Sequence, residues 1–455
     1  MIRKRLPKKS KSSEIKTKLL PFDYKQLITI ERLSHEGDGI GFSQGYTVSV
    51  PFTIPGESVL IEKPQIKGHM VNAKIKTIQS RSDNRVEPVC EYYGQCGGCD
   101  YQHINYTTQI ELKQQQFLWQ FKSVLFKDLK SKKPSQIDTP LISKPFEYRH
   151  RIRLSVKGGV VGFMKPGSND LIQIDNCSIT HPLIQQKLKL SQHRVISQLH
   201  GLLSIEWLVD DEDQIALRLV MKKSPSQIKI DEVIELLKSN EISNYRIEMG
   251  TKIVQLGKQL LQKNDDLLYR YQPGQFTQVN TSVNQKMLDQ AQRWILDTFE
   301  KNELPFNKAL DLFCGMGNFT LMLAKHFKNT IGIEGSKDSI VCARQNSEEN
   351  KKNTELNTLK FIKQDLFAND WRDVILQQQF DLVVLDPPRA GAKQICTDIV
   401  QLKSKYVLYI SCNQSTLLRD AQLLKERGYG IERANIMDMF AQTHHIETMV
   451  LFRKL

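Results

Sequence analysis

Cys412 sits in the run Tyr409-Ile-Ser-Cys-Asn-Gln-Ser-Thr416, and its setting suits covalent chemistry. The apolar residues Tyr406 to Ile410 have the length and composition of a buried strand, and the polar residues after them read as the loop at its carboxyl end. In open α/β sheets that edge is where ligands bind, and a cysteine there can attack as its thiolate. A lone free cysteine is more often a small buried apolar residue, so Cys412 needs support from elsewhere in the chain. Glu447, in Asp438-Met-Phe-Ala-Gln-Thr-His-His-Ile-Glu-Thr-Met449, offers a carboxylate that could take up a proton. Taken alone, it reads equally as a solvated carboxylate at a strand start.

A second group of residues suits a nucleoside-bearing ligand. Asp311-Leu-Phe-Cys-Gly-Met-Gly317 ends an apolar strand in a short glycine turn, which allows close approach to the main chain. Acidic residues follow the next three apolar runs: Glu334 after Thr330 to Ile333, Asp365 after Leu359 to Ile362, and Asp386 after Leu382 to Leu385. Glu334 is placed to accept both ribose hydroxyls and Asp365 to reach an adenine, while Phe313 and Asn318 line the turn. A dinucleotide site would share the Glu334 logic but wants a third glycine, and position 320 is Thr. No Walker lysine follows. The prolines of Asp386-Pro-Pro-Arg-Ala-Gly391 stiffen the loop and remove competing donors, so the Asp386 carboxylate can face a ligand.

Cys90, Cys96 and Cys99 form a third group, embedded in Tyr92-Tyr-Gly-Gln-Cys-Gly-Gly-Cys-Asp-Tyr101. Zinc and iron–sulfur sites both gather closely spaced thiolates. Flanking glycines let the backbone turn tightly and leave amides free to donate to sulfur. Cys177 is the candidate fourth ligand, and one distant ligand favours a four-iron cluster over a paired zinc knuckle.

The elements that must position these residues divide the chain. Residues 1–20 carry Arg3, Lys4, Arg5, Lys8, Lys9, Lys11, Lys16 and Lys18 against Glu14 alone, the composition of a disordered basic tail. Residues 21–82 hold short alternating runs at Gln26 to Leu33, Tyr46 to Val50, Ser58 to Glu62 and Val71 to Ile78, with a turn expected at His35 to Gly41. Such spacing predicts a small barrel. Residues 83–270 form a mixed α+β central domain, with a helix expected over about 103–130 that packs on the catalytic domain. Residues 271–455 turn to βαβ patterning, which predicts a doubly wound parallel sheet. The net charge of +14 and 64 Lys and Arg in 455 residues suggest a polyanionic partner. No apolar run approaches the roughly 20 residues of a membrane span. The polar N-terminus lacks a signal peptide's apolar stretch, so a cytoplasmic protein without disulfides is expected.

Taken together, the four cysteines, Gln278-Val-Asn280, Asp311 to Asn318, Asp386 to Gly391, Ser411-Cys-Asn413 and His444-His-Ile-Glu447 resemble the RNA uracil-C5 methyltransferase family. The resemblance spans roughly residues 20 to 455, and is closest to the bacterial 23S ribosomal-RNA branch that has both a TRAM domain and a [4Fe-4S] cluster. It implies an OB-like TRAM barrel followed by a Rossmann-like domain that uses S-adenosyl-L-methionine. It also implies Cys412 as nucleophile, Glu447 as base, and Gln278, Phe313, Asn318, Glu334, Asp365 and Asp386 around cofactor and base. Cys90, Cys96, Cys99 and Cys177 would hold the cluster, and His444 and His445 would be structural or RNA-facing. The expected partner is 23S ribosomal RNA, with no membrane, no obligate protein partner and a monomeric state. The chemistry agrees: uracil C5 is a weak nucleophile until a thiolate adds at C6, and a base must then remove the C5 proton. This chain departs from the family at Gln414 and Ala441, where proline is usual, which bears on loop rigidity. Two other readings remain open here: a transfer-RNA uracil methyltransferase, and a non-catalytic iron–sulfur RNA-binding factor.

Overall fold

The computed structural model describes residues 22, 25–125, 136–222, 225–368, 370–375 and 378–455, so the basic tail lies outside the described residues. The chain divides into two compact units, one ending at Arg85 and one beginning at Val86. In the first, strands Ile28–Leu33, Gly39–Ser43, Tyr46–Val50, Ser58–Lys67 and Met70–Ser80 close into a barrel. Alternate residues point inward, so Ile28, Ile30, Val48, Val50, Val59, Ile61 and Val71 make its core. The expected turn at 35–41 is shorter than the sequence suggested, because Gly39 and Gly41 belong to a strand. A Cβ at Gly41 would stand 2.4 Å from the Thr29 carbonyl, so these glycines let neighbouring strands close the barrel rather than break it. Buried Glu57 takes a two-pronged ion pair from Arg85, through Nε at 2.6 Å and Nη2 at 2.7 Å, and ties the end of this unit together.

The second unit contains two large sheets. Seven strands between Arg151 and Leu256 form one, antiparallel throughout except where Ile215–Met221 runs parallel to Asn244–Met249. Helix Gln227–Ser239 makes that crossover, and the sheet buries Trp207, Leu217 and Ile247.

The other sheet has eight strands in the spatial order Thr358–Lys363, Asn329–Glu334, Lys308–Leu312, Leu382–Leu385, Tyr406–Ser411, Glu447–Lys454, Tyr429–Met437 and Gln136–Ile137. The first five pair in parallel. The central Leu382–Leu385 and Tyr406–Ser411 are continuously buried apolar runs, as strands covered on both faces must be, while the edge strand Thr358–Lys363 is largely exposed. These five are the doubly wound parallel sheet expected from the sequence, and beyond them the sheet continues with antiparallel strands. Glu447–Lys454 runs antiparallel to both its neighbours, because a hairpin from Tyr429 folds the chain back without a crossover helix. The helix expected over 103–130 is observed as Tyr106–Leu125, with 126–130 outside the described residues. Its Phe117 and Phe121 pack into the core of the eight-stranded sheet with Val407, Tyr409 and Val450.

Helix Thr281–Lys301 lies on the opposite face, burying Met287, Leu288, Trp294 and Phe299. Asn280 caps it, accepting from the Val283 amide at 3.2 Å while its own Nδ2 donates to Ser143 Oγ at 2.6 Å. Both contacts hold the segment that carries Gln278. Asn280→Ala is expected to lower the unfolding free energy by about 1–2 kcal/mol, read as a shift in the urea midpoint.

Candidate active site

The order of the five parallel strands reverses between Lys308–Leu312 and Leu382–Leu385, and the cleft opens at their carboxyl ends, where ligands bind in such sheets. It encloses about 1320 Å³. All eight residues picked from the sequence line it: Gln278, Phe313, Asn318, Glu334, Asp365, Asp386, Cys412 and Glu447. Phe313, Glu334, Asp365, Asp386 and Cys412 stand at or just past the carboxyl end of a strand, Glu447 begins one, Asn318 opens helix Asn318–Ala324, and Gln278 precedes the capped helix.

The turn after Lys308–Leu312 is strained in a way that opens it. Phe313 has φ of +67°, which is uncommon for an aromatic residue, and Gly317 has φ of +97°. The Phe313 and Cys314 amides both donate to the Ile333 carbonyl, which fastens the turn to the next strand. Glu334 accepts from the Ser336 amide at 2.7 Å and the Gly315 amide at 3.3 Å, so its carboxylate is already aimed across the glycine turn. Asn318 and Asn284 exchange side-chain amide bonds at 3.0 and 3.2 Å. Asp365 is exposed at the rim.

Cys412 and Glu447 occupy the far end of the same cleft. Burial pushes the Cys412 thiol up to about 11, with the Glu447 carboxylate adding to the shift and the Arg389 guanidinium opposing it. Glu447, only 3% exposed, is raised well above the usual carboxylate range by burial and then by Asp386. Asp386 itself is pushed up to about 7 by burial. Three groups that could carry negative charge thus influence one another, and the exposed Arg389 guanidinium opposes the upward shift of Cys412 and Glu447. Arrangements of this kind are candidates for acid–base work.

Sequence reasoning missed three residues. Arg389 lies within the quoted Asp386-Pro-Pro-Arg motif but received no role. Phe367 is an exposed aromatic on the cleft wall whose ring faces Phe313 with centroids 5.6 Å apart, and its position two residues after Asp365 was the available signal. Asn284 carried no local signal, since only the packing of helix Thr281–Lys301 brings it to Asn318. The two departures from proline are benign in the backbone. Gln414 is the first residue of helix Gln414–Glu426, capped by Asn413, a place any residue can take. Ala441 is fully buried and its carbonyl accepts from Tyr148 Oη at 3.0 Å.

Cys90, Cys96, Cys99 and Cys177 line a second, smaller cavity of about 110 Å³. Burial raises Cys99 to about 12 and Cys177 to about 11. The Gly98 amide donates to Cys96 Sγ at 3.4 Å. Among the described residues no three metal-ligating side chains converge closely enough for a single ion.

The family model for tRNA (uracil-5-)-methyltransferase matches residues 160–455. A 23S rRNA (uracil(1939)-C(5))-methyltransferase RlmD of Vibrio parahaemolyticus is 31% identical over 94% of this chain and 96% of its own length. The RlmD of Francisella tularensis subsp. novicida is 33% identical over 94% and 96%. Among solved structures, the tRNA (uracil-54, C5)-methyltransferase of Pyrococcus abyssi, in complex with S-adenosyl-L-homocysteine, superposes with a TM-score of 0.69. That comparison covers 94% of this chain and 100% of the other, at 21% identity, and establishes a common fold.

The buried acids set a pH dependence. Asp311, fully buried under the glycine turn, accepts from Thr320 Oγ1 at 2.6 Å, leaves its second oxygen unpaired, and is pushed up to about 8 by burial. A carboxyl whose folded pKa exceeds its unfolded value holds its proton longer in the folded state. Its contribution to stability is therefore present at low pH and is lost as pH rises from about 4 through about 8. Asp311→Asn should raise the thermal midpoint relative to the unsubstituted protein at about pH 8, and change it little at about pH 5.

Proposed function

This chain belongs to the tRNA (uracil-5-)-methyltransferase family, and from that premise we propose that it methylates C5 of a uracil in 23S ribosomal RNA. The observation that carries the reading is that Cys412 and Glu447, brought to adjacent strand ends, line the same cleft as Gln278, Glu334 and Asp386. The 23S substrate is supported by relatives that match over nearly their whole length.

S-adenosyl-L-methionine fits the near end of the cleft, and when bound it supplies a methyl group made electrophilic by the sulfonium charge. Glu334 would hold the ribose hydroxyls, Phe313 and Phe367 would flank the adenine, and Asp365 would meet its edge. Gln278, Asn318 and Asp386 would surround the reacting end. The Cys412 thiolate would add to C6 of the uracil, and the electron pair thereby placed at C5 would accept the methyl group as its bond to the sulfonium sulfur breaks, leaving a neutral thioether. Arg389 favours the thiolate, and an adjacent sulfonium cation would favour the ionised form of Cys412 and of Glu447. Glu447 then takes the C5 proton, the C5–C6 double bond re-forms, and the Sγ–C6 bond breaks. A uracil in folded RNA must be extruded to reach so deep a thiol. The five-stranded barrel, with exposed Phe42, Ile66 and Met70, supplies an RNA-binding module of the TRAM kind.

The smaller cavity suits a [4Fe-4S] cluster held by Cys90, Cys96, Cys99 and Cys177. Each thiolate of such a cluster binds a different iron, so four sulfurs around a cavity fit it better than they fit one ion. The Gly98 amide bond to sulfur is of the kind that stabilises thiolate charge.

Two outcomes follow. Cys412→Ala should reduce transfer of labelled methyl from S-adenosyl-L-methionine to RNA from a deletion strain to background, and undiminished transfer would reject the nucleophile. Protein purified anaerobically should be brown with about four irons per chain and lose them in Cys99→Ala. One bound zinc would reject the cluster.

A further inference from the structure

The segment 438–446 links strand Tyr429–Met437 to strand Glu447–Lys454 and delivers Glu447 to the cleft. It is not held by apolar packing alone. Tyr106, Gln109 and Lys113 stand three and four residues apart along helix Tyr106–Leu125 and so share one face. All three bind this segment. Lys113 Nζ donates to Asp438 Oδ1 at 2.6 Å and lies 3.3 Å from the Phe440 carbonyl. Tyr106 Oη donates to Asp438 Oδ2 at 2.7 Å. Gln109 Nε2 donates to Gln442 Oε1 at 2.9 Å, and Gln109 Oε1 accepts from the Gln442 amide at 3.2 Å. Lys113 is 1% and Asp438 2% exposed, which makes this a fully buried ion pair.

The segment needs such a hold. Gln442 has φ of +68°, a left-handed conformation that persists only where its surroundings over-determine it. Its carbonyl accepts from the Asp100 and Tyr101 amides at 3.1 and 3.0 Å, and Asp100 Oδ1 accepts from the His444 amide at 2.8 Å. Asp100 directly follows Cys99, so the cysteine loop holds the same segment from its other side.

We propose that the Tyr106–Gln109–Lys113 stripe is a positioning device for the base: it fixes the segment 438–446 so that the Glu447 carboxyl meets C5 of the target. This rests on the reading of Glu447 as base. A buried ion pair is a poor source of stability compared with apolar residues of the same size, but it imposes direction and register. Lys113 and Tyr106 touch no reacting atom. They act through Asp438, nine residues before Glu447.

The step at stake is the last one. Once C5 carries the methyl group, Glu447 takes the C5 proton, C5=C6 forms and the Sγ–C6 bond breaks. A misplaced base would leave Cys412 bonded to methylated RNA. Lys113→Met alone strands the Asp438 charge and can fail to fold, so the test uses the double variant Lys113→Met/Asp438→Leu, which removes both charges together. Gln109→Met serves as a second, uncharged variant. Each is incubated with labelled S-adenosyl-L-methionine and total RNA from a strain lacking the gene, then run on a denaturing gel beside Glu447→Gln.

The expected result is turnover lower by about tenfold or more, with labelled RNA–protein adduct persisting as it does in Glu447→Gln. Lys113→Arg should restore release to within a few-fold of the unsubstituted enzyme. The stripe would be merely structural, and the proposal overturned, if adduct formation and turnover fell in parallel. It is overturned equally if a folded double variant and Gln109→Met both released product at the normal rate. Should Glu447→Gln trap no adduct, the base assignment itself falls, an outcome separable from failure of the stripe alone.

Discussion

The site depends on one antiparallel pairing. Tyr406–Ser411 and Glu447–Lys454 are bonded in a register that sets Ser411 opposite Thr448 and Ile410 opposite Met449. Cys412 leaves the end of one strand where Glu447 begins the other. Side chains alternate faces along a strand, so a slip of one residue would turn Glu447 away from the thiol. Register is therefore a chemical specification here. It is enforced by Leu408, Ile410, Met449 and Leu451 on one face and by Val407, Tyr409, Val450 and Phe452 on the other, all buried.

Around that pairing the fold accepts an electrostatic cost. Asp311, Asp386 and Glu447 are carboxyls pushed upward by burial at neighbouring strand ends, and Cys412 is a thiol pushed the same way. Such groups are not placed there by hydrophobic packing. A cationic donor bound among them would relieve the like-charge repulsion, which links the affinity of the cleft for a sulfonium to the ionisation its chemistry needs. Local rules are broken at functional sites in this way and upheld around them.

The cysteine cavity and the cleft are separate spaces, but not mechanically independent ones. The loop that holds Cys96 and Cys99 continues into Asp100 and Tyr101, which bond the segment leading to Glu447. The cysteine loop is thereby hydrogen-bonded to the segment that ends at Glu447.

Sequence by itself determined the elements whose signal is local. The buried parallel strands read as apolar runs ending in acidic residues, and Glu334, Asp365 and Asp386 were legible because a strand end is where the period breaks. The glycine turn and Cys412 were legible for the same reason, and the four cysteines by their spacing and flanking glycines. The antiparallel hairpin that carries Glu447 was not, since an apolar strand looks the same whichever way its partner runs. Gly39 to Gly41 was misread because a glycine that admits a neighbouring strand looks like one that makes a turn. Asn284, the place of Arg389 beside the thiol, and the bonding of Tyr106, Gln109 and Lys113 to residues more than 300 positions away were decided only by tertiary packing. A polar side chain's partner is chosen in space, and a stripe of Tyr, Gln and Lys on a helix reads as a wet face until the fold buries it.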